Sequence, residues 1–440
     1  MQTGFKTIAG LALALLPVGA IFAADWPQYR GVNHDGATAE TGLLKDWPKE
    51  GPKVLWKIPL GESFGTFAVS QGKAFCFMER GEKPQANDEA KPDGPPGKKK
   101  RLDGGSEVCA AFDADSGKEL WVTPIGPTIF ESQGGNGPRS TPTIDGGHVY
   151  VLSTFLKLAC LNVSDGKEVW SHDLAKEFGG QLDTPGIRQW GSAASPVIDG
   201  DLIFVNGGGP GQALMGIDKK TGNVVWKGQD DGLTHTSPTP ATILGTRQII
   251  FFTKSGLVSV VPETGAVLWR YPFDKFNVAT AISPVVAGEI VYCSAAYNVG
   301  GAACKITKAG DKFTATELWR TPGENMSHWS TPVYHDGYLY GLFGHKEPHV
   351  PLKCIELATG KEMWSKPGFG KGGTTLVDGD VLVQGDQGQL VLVEATPKAY
   401  TEIARAQPFT GKCWNAAVVS GGRIYTRSTT TGICLEVGGK

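Results

Sequence analysis

The chain has 440 residues, 40% of them hydrophobic and 20% charged, enough to bury a large core. Lysine and arginine (42) nearly balance aspartate and glutamate (44), and no long basic face is present. That excludes the usual nucleic-acid binder, which needs clustered cations to displace phosphate counterions. The 61 glycines and 28 prolines suit many short strands joined by turns, not a helical bundle.

The N-terminus reads as a secretory signal over residues 1–23. Lys6 supplies the positive region, Ile8 to Leu16 form a short apolar run, and Pro17 and Gly19 end it ahead of the small residues Ala23 and Ala24. The run falls short of the ~20 residues that span a bilayer, so cleavage near Ala24 or Asp25 is expected, with no transmembrane span. No twin arginine and no cysteine at the cleavage point are present. The chain is therefore expected to be exported, periplasmic or extracellular, without a lipid anchor. Residues 24–52 form a lead-in, and 53–440 carry the repeats. Residues 81–105 are dense in Lys, Pro, Asp and Gly and include Lys98-Lys-Lys-Arg101. They are expected to be a flexible insertion between two strands of the first unit.

A phrase recurs along the chain: a strand, a Gly-Lys-type turn, then a strand ending in Trp. It appears as Phe112-Asp-Ala-Asp-Ser-Gly-Lys-Glu-Leu-Trp121, Val163-Ser-Asp-Gly-Lys-Glu-Val-Trp170 and Ile217-Asp-Lys-Lys-Thr-Gly-Asn-Val-Val-Trp226. It returns as Val261-Pro-Glu-Thr-Gly-Ala-Val-Leu-Trp269 and Leu357-Ala-Thr-Gly-Lys-Glu-Met-Trp364, with shortened copies ending at Trp56 and Trp319. Glycine supplies the left-handed turn residue, and the indole a large surface to wedge between sheets. A second phrase, small residue–Pro–apolar, opens units at Thr141, Ser195, Ser237, Ser283 and Thr331, with weaker openings near Phe67, Thr374 and Ala416. Four antiparallel strands per unit at this period predict an all-β, eight-bladed propeller. Ile403-Ala404 replaces the seventh closing Trp, and the strand around Trp56 completes the last blade as a Velcro closure.

These Asp, Thr-Gly-Lys and Trp phrases resemble the pyrroloquinoline-quinone (PQQ) repeat. That family includes quinoprotein alcohol dehydrogenases and the outer-membrane assembly lipoprotein of the β-barrel machinery. Asp25-Trp-Pro-Gln-Tyr-Arg-Gly31 also looks like the lead-in of exported PQQ-like propellers. The dehydrogenases carry a vicinal Cys pair, a calcium site and a catalytic aspartate. No two cysteines are adjacent here, and no residues match the calcium site, so PQQ with calcium has no matched ligands in this chain.

The loops that enter the innermost strands converge on one face in a propeller. Here they carry Ser63, Phe64, Asn136, Arg139, Trp190, His235, Asn277, His328, Trp329, Lys371, Trp414 and Asn415. Trp190, Trp329 and Trp414 stand outside the blade-closing rhythm. Aromatics, cations and amides around one funnel suit a planar or anionic small molecule, or a peptide segment; equally, they can pack the loops. Cys160, Cys304, Cys354 and Cys434 fall at near-equivalent third-strand positions and read as small core residues. Cys293 with Cys304, and Cys76 with Cys109, would bridge only in the right register. His345 and His349 flank Pro348 without a third metal ligand, so no metal site is expected. No Gly-x-Ser-x-Gly or His-Glu-x-x-His motif is present, and Gly207 to Gly211 joins strands without opening a helix. The sequence favours a monomeric, non-enzymatic binding or scaffold propeller for a protein or small-molecule partner. A PQQ-dependent oxidoreductase acting on an alcohol or sugar is the alternative, and a carbohydrate-binding propeller the second.

Overall fold

The computed structural model describes residues 25–81, 105–129, 135–184, 186–273, 280–345 and 350–438. Its strands form eight four-stranded antiparallel sheets, each ordered from inner to outer strand along the chain. Blades 1 to 7 cover residues 68–127, 143–173, 197–228, 239–272, 285–321, 333–366 and 373–406. Blade 8 takes Val418–Ser420, Arg423–Arg427 and Thr431–Glu436, and its outermost strand is Lys53–Pro59 from the other end of the repeats. The expected eight-bladed propeller and its Velcro closure are both present. The candidate signal peptide and most of the 81–105 insertion lie outside the described residues.

One register rule explains the closing tryptophan. In every blade the outer strand bulges by one residue, immediately before the position at which Trp sits. The residue opposite Trp on the third strand is Ala111, Cys160, Gly216, Ser259, Ala303, Cys354 or Cys434. All are small, so the indole lies flat over the strand. In blade 7 the closing residue is Ala404 and its partner is Leu392, so bulk is exchanged across the pair. Ile403 is the bulged residue.

Each indole then reaches the next blade. Trp56, Trp121, Trp170, Trp226, Trp319 and Trp364 donate Nε1–H to backbone carbonyls of the following third-to-fourth-strand turn, at 2.6–3.3 Å. The turn glycine of the phrase lies under the ring: a Cβ at Gly360 would sit 2.7 Å from Trp319, and one at Gly222 2.8 Å from Trp170. The glycine therefore answers two demands, a positive φ and contact with an indole. Trp269 is the exception. The hairpin of blade 5 runs ten residues a side, and Trp269 bonds Gln248 Oε1 of its own blade at 2.7 Å instead. The missing seventh Trp has a related cause. Blade 8 closes with two chain ends, so no covalent turn is there to receive an indole. The lead-in fills the space: Leu44 N–H donates to Val437 O at 2.7 Å, and Leu43 and Trp47 pack on the core formed by blades 7 and 8 beside Ala404.

Eight apolar clusters, one between each pair of neighbouring blades, form the core. A belt of hydroxyls ties the inner ends together. Thr66 N–H donates to Thr141 Oγ1, Thr141 N–H to Ser195 Oγ, Ser195 N–H to Ser237 Oγ, and Ser283 N–H to Thr331 Oγ1, at 2.9–3.2 Å. The small residue–Pro phrase thus has a reason: the hydroxyl satisfies the neighbouring blade, and the proline that follows leaves no orphan N–H in the crowded ring. Arg427, fully buried, locks the closure by donating to Gly61 O, Ser428 O and Thr429 O at 2.7–2.9 Å.

All eight cysteines are buried and free. The two candidate bridges fail on register. Cys76 faces Ala110 while Cys109 faces Phe77, which puts the thiols on opposite sides of the sheet, and Cys293 faces Ala302, two residues from Cys304. Cys160, Cys354 and Cys434 are equivalent, each opposite its Trp. Cys304 is one residue out of step, because Ala303 takes that place.

Candidate functional site

The lead-in turns the central channel into a cup. Trp26 pairs with Val69 of blade 1, Pro27 O accepts from Ile144 N–H of blade 2, and Ala37 pairs with Leu376 of blade 7. Arg30 donates to Thr331 O (3.1 Å) and Pro332 O (3.0 Å) at blade 6, and Tyr29 Oη meets Thr331 Oγ1 at 3.1 Å. These contacts reach the inner strands of blades 1, 2 and 7 and the residues that lead into the inner strand of blade 6. The loops that precede the inner strands supply most of the remaining lining. Between them lies a cavity of about 340 Å³.

Of the residues expected at the funnel, Arg139, Trp190, His235, His328, Trp329, Lys371, Trp414 and Asn415 line this cavity, as does Phe64. Asn136 lies on the same loop as Arg139 but is not a lining residue, and neither is Ser63, which is buried and donates to Pro138 O. Asn277 lies outside the described residues, as does His349.

The lining has two characters. The rings leading into blades 1, 8 and 6 form one arc that ends on Tyr297 of blade 5: Phe64 on Trp414 (5.3 Å), Trp414 on Trp329 (4.3 Å), Trp329 on His328 (4.2 Å) and His328 on Tyr297 (5.1 Å). Cations lie over these rings, Arg139 at 5.1 Å from Phe64, Lys371 at 4.8 Å from Trp329 and Lys412 at 4.3 Å from Trp414. Across from them, Trp190 closes the short helix Ile187–Trp190 and meets His235 at 6.1 Å. Gly191 ends that helix where a Cβ would sit 1.9 Å from the Thr154 side chain, so Trp190 is held at the rim by a backbone only glycine allows.

Both imidazoles are neutral at ordinary pH. Burial, reinforced by Arg139, pushes His235 down to about 3, and burial with Lys371 does the same to His328. The His235 ring meets the Gly191 backbone, and among the described residues Nδ1 of His328, Oγ of Ser330 and Nε1 of Trp26 have no hydrogen-bond partner. Asn415 is committed, accepting from Gln384 Nε2 at 3.0 Å.

Sequence reasoning missed the floor. Trp26, Tyr29 and Arg30 were legible as a lead-in phrase, but nothing in one sequence tells where a lead-in docks. Tyr297 and Ser330 carried no signal apart from Ser330 lying beside Trp329.

Calcium-bound PQQ does not fit this lining. Calcium takes six to eight oxygen ligands, usually with carboxylates. Among the described residues, no lining residue is Asp or Glu, and no three His, Cys, Asp or Glu side chains gather as a metal site.

A family model described as outer membrane protein assembly factor BamB matches residues 104–341, just over half of the chain. A BamB of Shewanella oneidensis is 24% identical over 316 residues, 66% of this chain and 68% of that protein. Among solved structures, BamB from Moraxella catarrhalis aligns with a TM-score of 0.55 at 14% identity, covering 88% of this chain and 98% of that one. Quinohemoprotein alcohol dehydrogenase from Comamonas testosteroni aligns at 0.64 and 15% identity, covering 95% and 81%. At these identities the two structures share the fold and carry nothing about activity. With its repeats, its eight blades and the matching family model, the chain belongs to the PQQ-repeat family described as outer membrane protein assembly factor BamB.

Proposed function

We propose that the protein is an exported, non-catalytic binding propeller that serves as a scaffold in outer-membrane protein assembly and docks a protein partner at the mouth of its cup. Residues 1–23 are removed on export, and the lead-in with the repeats then forms the working unit. The observation that carries the reading is the rim: an aromatic arc with Arg139, Lys371 and Lys412 set over its rings around the central cavity. Half-buried aromatic side chains and an arginine on a rigid frame are residue types enriched at protein interfaces. Family membership supplies the process, since relatives bear the name of an assembly factor.

The test is genetic. Deleting the gene should lower the level of outer-membrane β-barrel proteins. The wild-type chain should restore it, as should a Leu120→Glu variant on the outer edge of blade 1. A Lys371→Glu/Lys412→Glu variant should not. Unchanged barrel levels on deletion would remove the assembly role, and full rescue by the rim variant would remove the docking face. N-terminal sequencing of the mature protein checks export, with Ala24 or Asp25 expected first.

A further inference from the structure

Going beyond the protein partner at the rim, we propose that the central cavity binds an uncharged pyranose sugar, its hydroxyls held by Trp26, His328 and Ser330 and its C–H face by the aromatic arc. Many polar side chains of the lining are already engaged within the chain. The hydroxyls of Thr141, Ser195 and Ser237 accept from neighbouring blades, and Asn415 accepts from Gln384. Arg139 donates to Gly135 O at 3.1 Å and Gly137 O at 3.0 Å, and Lys371 lies over Trp329 and Trp414. Three buried atoms are left over among the described residues: Trp26 Nε1, Ser330 Oγ and His328 Nδ1 line the cavity without a hydrogen-bond partner. Trp26 is 4% exposed and Ser330 8%. Buried polar atoms without partners are rare in folded proteins, so a set of them around one cavity marks where a ligand supplies the missing bonds.

What is left over sets the kind of ligand. An indole N–H donates only, a serine hydroxyl donates and accepts, and a neutral imidazole nitrogen does one or the other by tautomer. A ligand hydroxyl can answer all three. None of these groups carries charge, since burial holds the His328 ring neutral. The lining cations are engaged within the chain, and no described lining residue is Asp or Glu. A charged ligand would therefore lose its hydration without gaining an opposite charge that the chain has left open.

The rings set its shape. Trp329 stands 4.2 Å from His328 and 4.3 Å from Trp414, and Trp414 5.3 Å from Phe64, so the members of each pair already touch and no third ring fits between them. They present a continuous wall, not a slot. The C–H face of a pyranose needs one apolar wall with polar groups at its edge. His328, Trp329 and Ser330 are consecutive, so one segment supplies a face of the wall and two of the polar groups. The lead-in that carries Trp26 is fastened to the very next residue, because Tyr29 meets Thr331 Oγ1 and Arg30 donates to Thr331 O, each at 3.1 Å. The cavity volume of about 340 Å³ falls in the range of small-molecule sites.

The experiment is calorimetric titration of the purified mature protein at neutral pH with glucose, galactose, mannose, glucuronate and nicotinamide. At least one of the neutral hexoses should bind at a single site, and glucuronate and the planar nicotinamide should bind at least about tenfold more weakly. Trp26→Phe keeps the ring and removes the N–H, and Ser330→Ala removes the hydroxyl. Each should weaken the hexose about three- to tenfold, and Leu120→Glu on the outer edge of blade 1 should not. Should Trp26→Phe fold poorly by circular dichroism, Ser330→Ala carries the test alone. Absence of hexose binding at millimolar concentration overturns the proposal. So does glucuronate or nicotinamide of equal affinity, or full hexose affinity in the folded variants. The docking role is scored separately, by barrel-protein levels in cells, so either reading can fail without the other.

Discussion

Gly360 and Gly379 provide a matched test of the claim that the turn glycine of the repeat serves the neighbouring indole. Both have positive φ, +74° and +76°. A Cβ at Gly379 meets nothing within 4 Å, whereas one at Gly360 lies 2.7, 2.8 and 3.0 Å from three ring carbons of Trp319. Gly379→Ala therefore carries only the left-handed backbone penalty, about 1–2 kcal/mol. Gly360→Ala carries that penalty and must also lift the ring. Overpacking adds about 1–3 kcal/mol, and disturbing the 2.8 Å bond from Trp319 Nε1 to Leu357 O adds about 1 kcal/mol more. We expect Gly360→Ala to destabilise by about 2–4 kcal/mol beyond Gly379→Ala, read as a lower urea midpoint at unchanged slope by far-ultraviolet circular dichroism. In a Trp319→Ala background that excess should disappear, because the two residues share one contact. Equal costs for the two alanines, or an excess that survives removal of the indole, would refute the reasoning.

The exchange of bulk in blade 7 predicts that Ala404→Trp alone is destabilising, since Leu392 lies opposite. Adding Leu392→Ala should recover part of the loss, and thermal melts of the single and double variants check it. Acid should destabilise the protein: burial holds His34 near 4 and His235 and His328 near 3, below their unfolded value of about 6.5, so the unfolded chain takes up protons first and stability falls as pH drops from about 6.5 toward 4. Burial raises Glu107 to about 7, which works in the opposite sense between about 7 and 4.5, so Glu107→Gln should steepen the acid loss in urea midpoints compared at pH 7.5 and 5. A shallower loss in that variant would contradict the assignment.

The repeat was legible because its causes are local. A hairpin needs its glycine, a bulge follows the strand end, and an indole needs a small residue opposite; all three lie within about ten residues of one another. Blade number followed by counting, and Ala404 could be placed at the seventh closing position although it shares no chemistry with Trp. The eight mouth residues that line the cavity were legible for a related reason: each precedes an inner strand, so its position followed once the strands were counted. The register of Cys304 was not legible, because a ten-residue hairpin and a shorter one look alike until the bulge is placed. Nor was the floor. The partners of Arg30 lie about 300 residues away, at Thr331 and Pro332, and no periodicity connects them.

That long-range contact bears on both proposals. A propeller ring leaves a channel open at both ends unless something crosses it, and an open channel keeps its wall hydrated. The lead-in crosses beneath the inner strands and pairs with blades 1, 2, 6 and 7 before Leu43 reaches Gly438 in blade 8. It therefore does two jobs with one segment. It lines the cavity with Trp26, Tyr29 and Arg30, which share that lining with His235. It also brings Trp47 onto the seam between blades 7 and 8, the one place where the ring has no continuous turn for an indole. The segment with no repeat character thus repairs the break that the repeat leaves, and the same crossing builds the floor of the site.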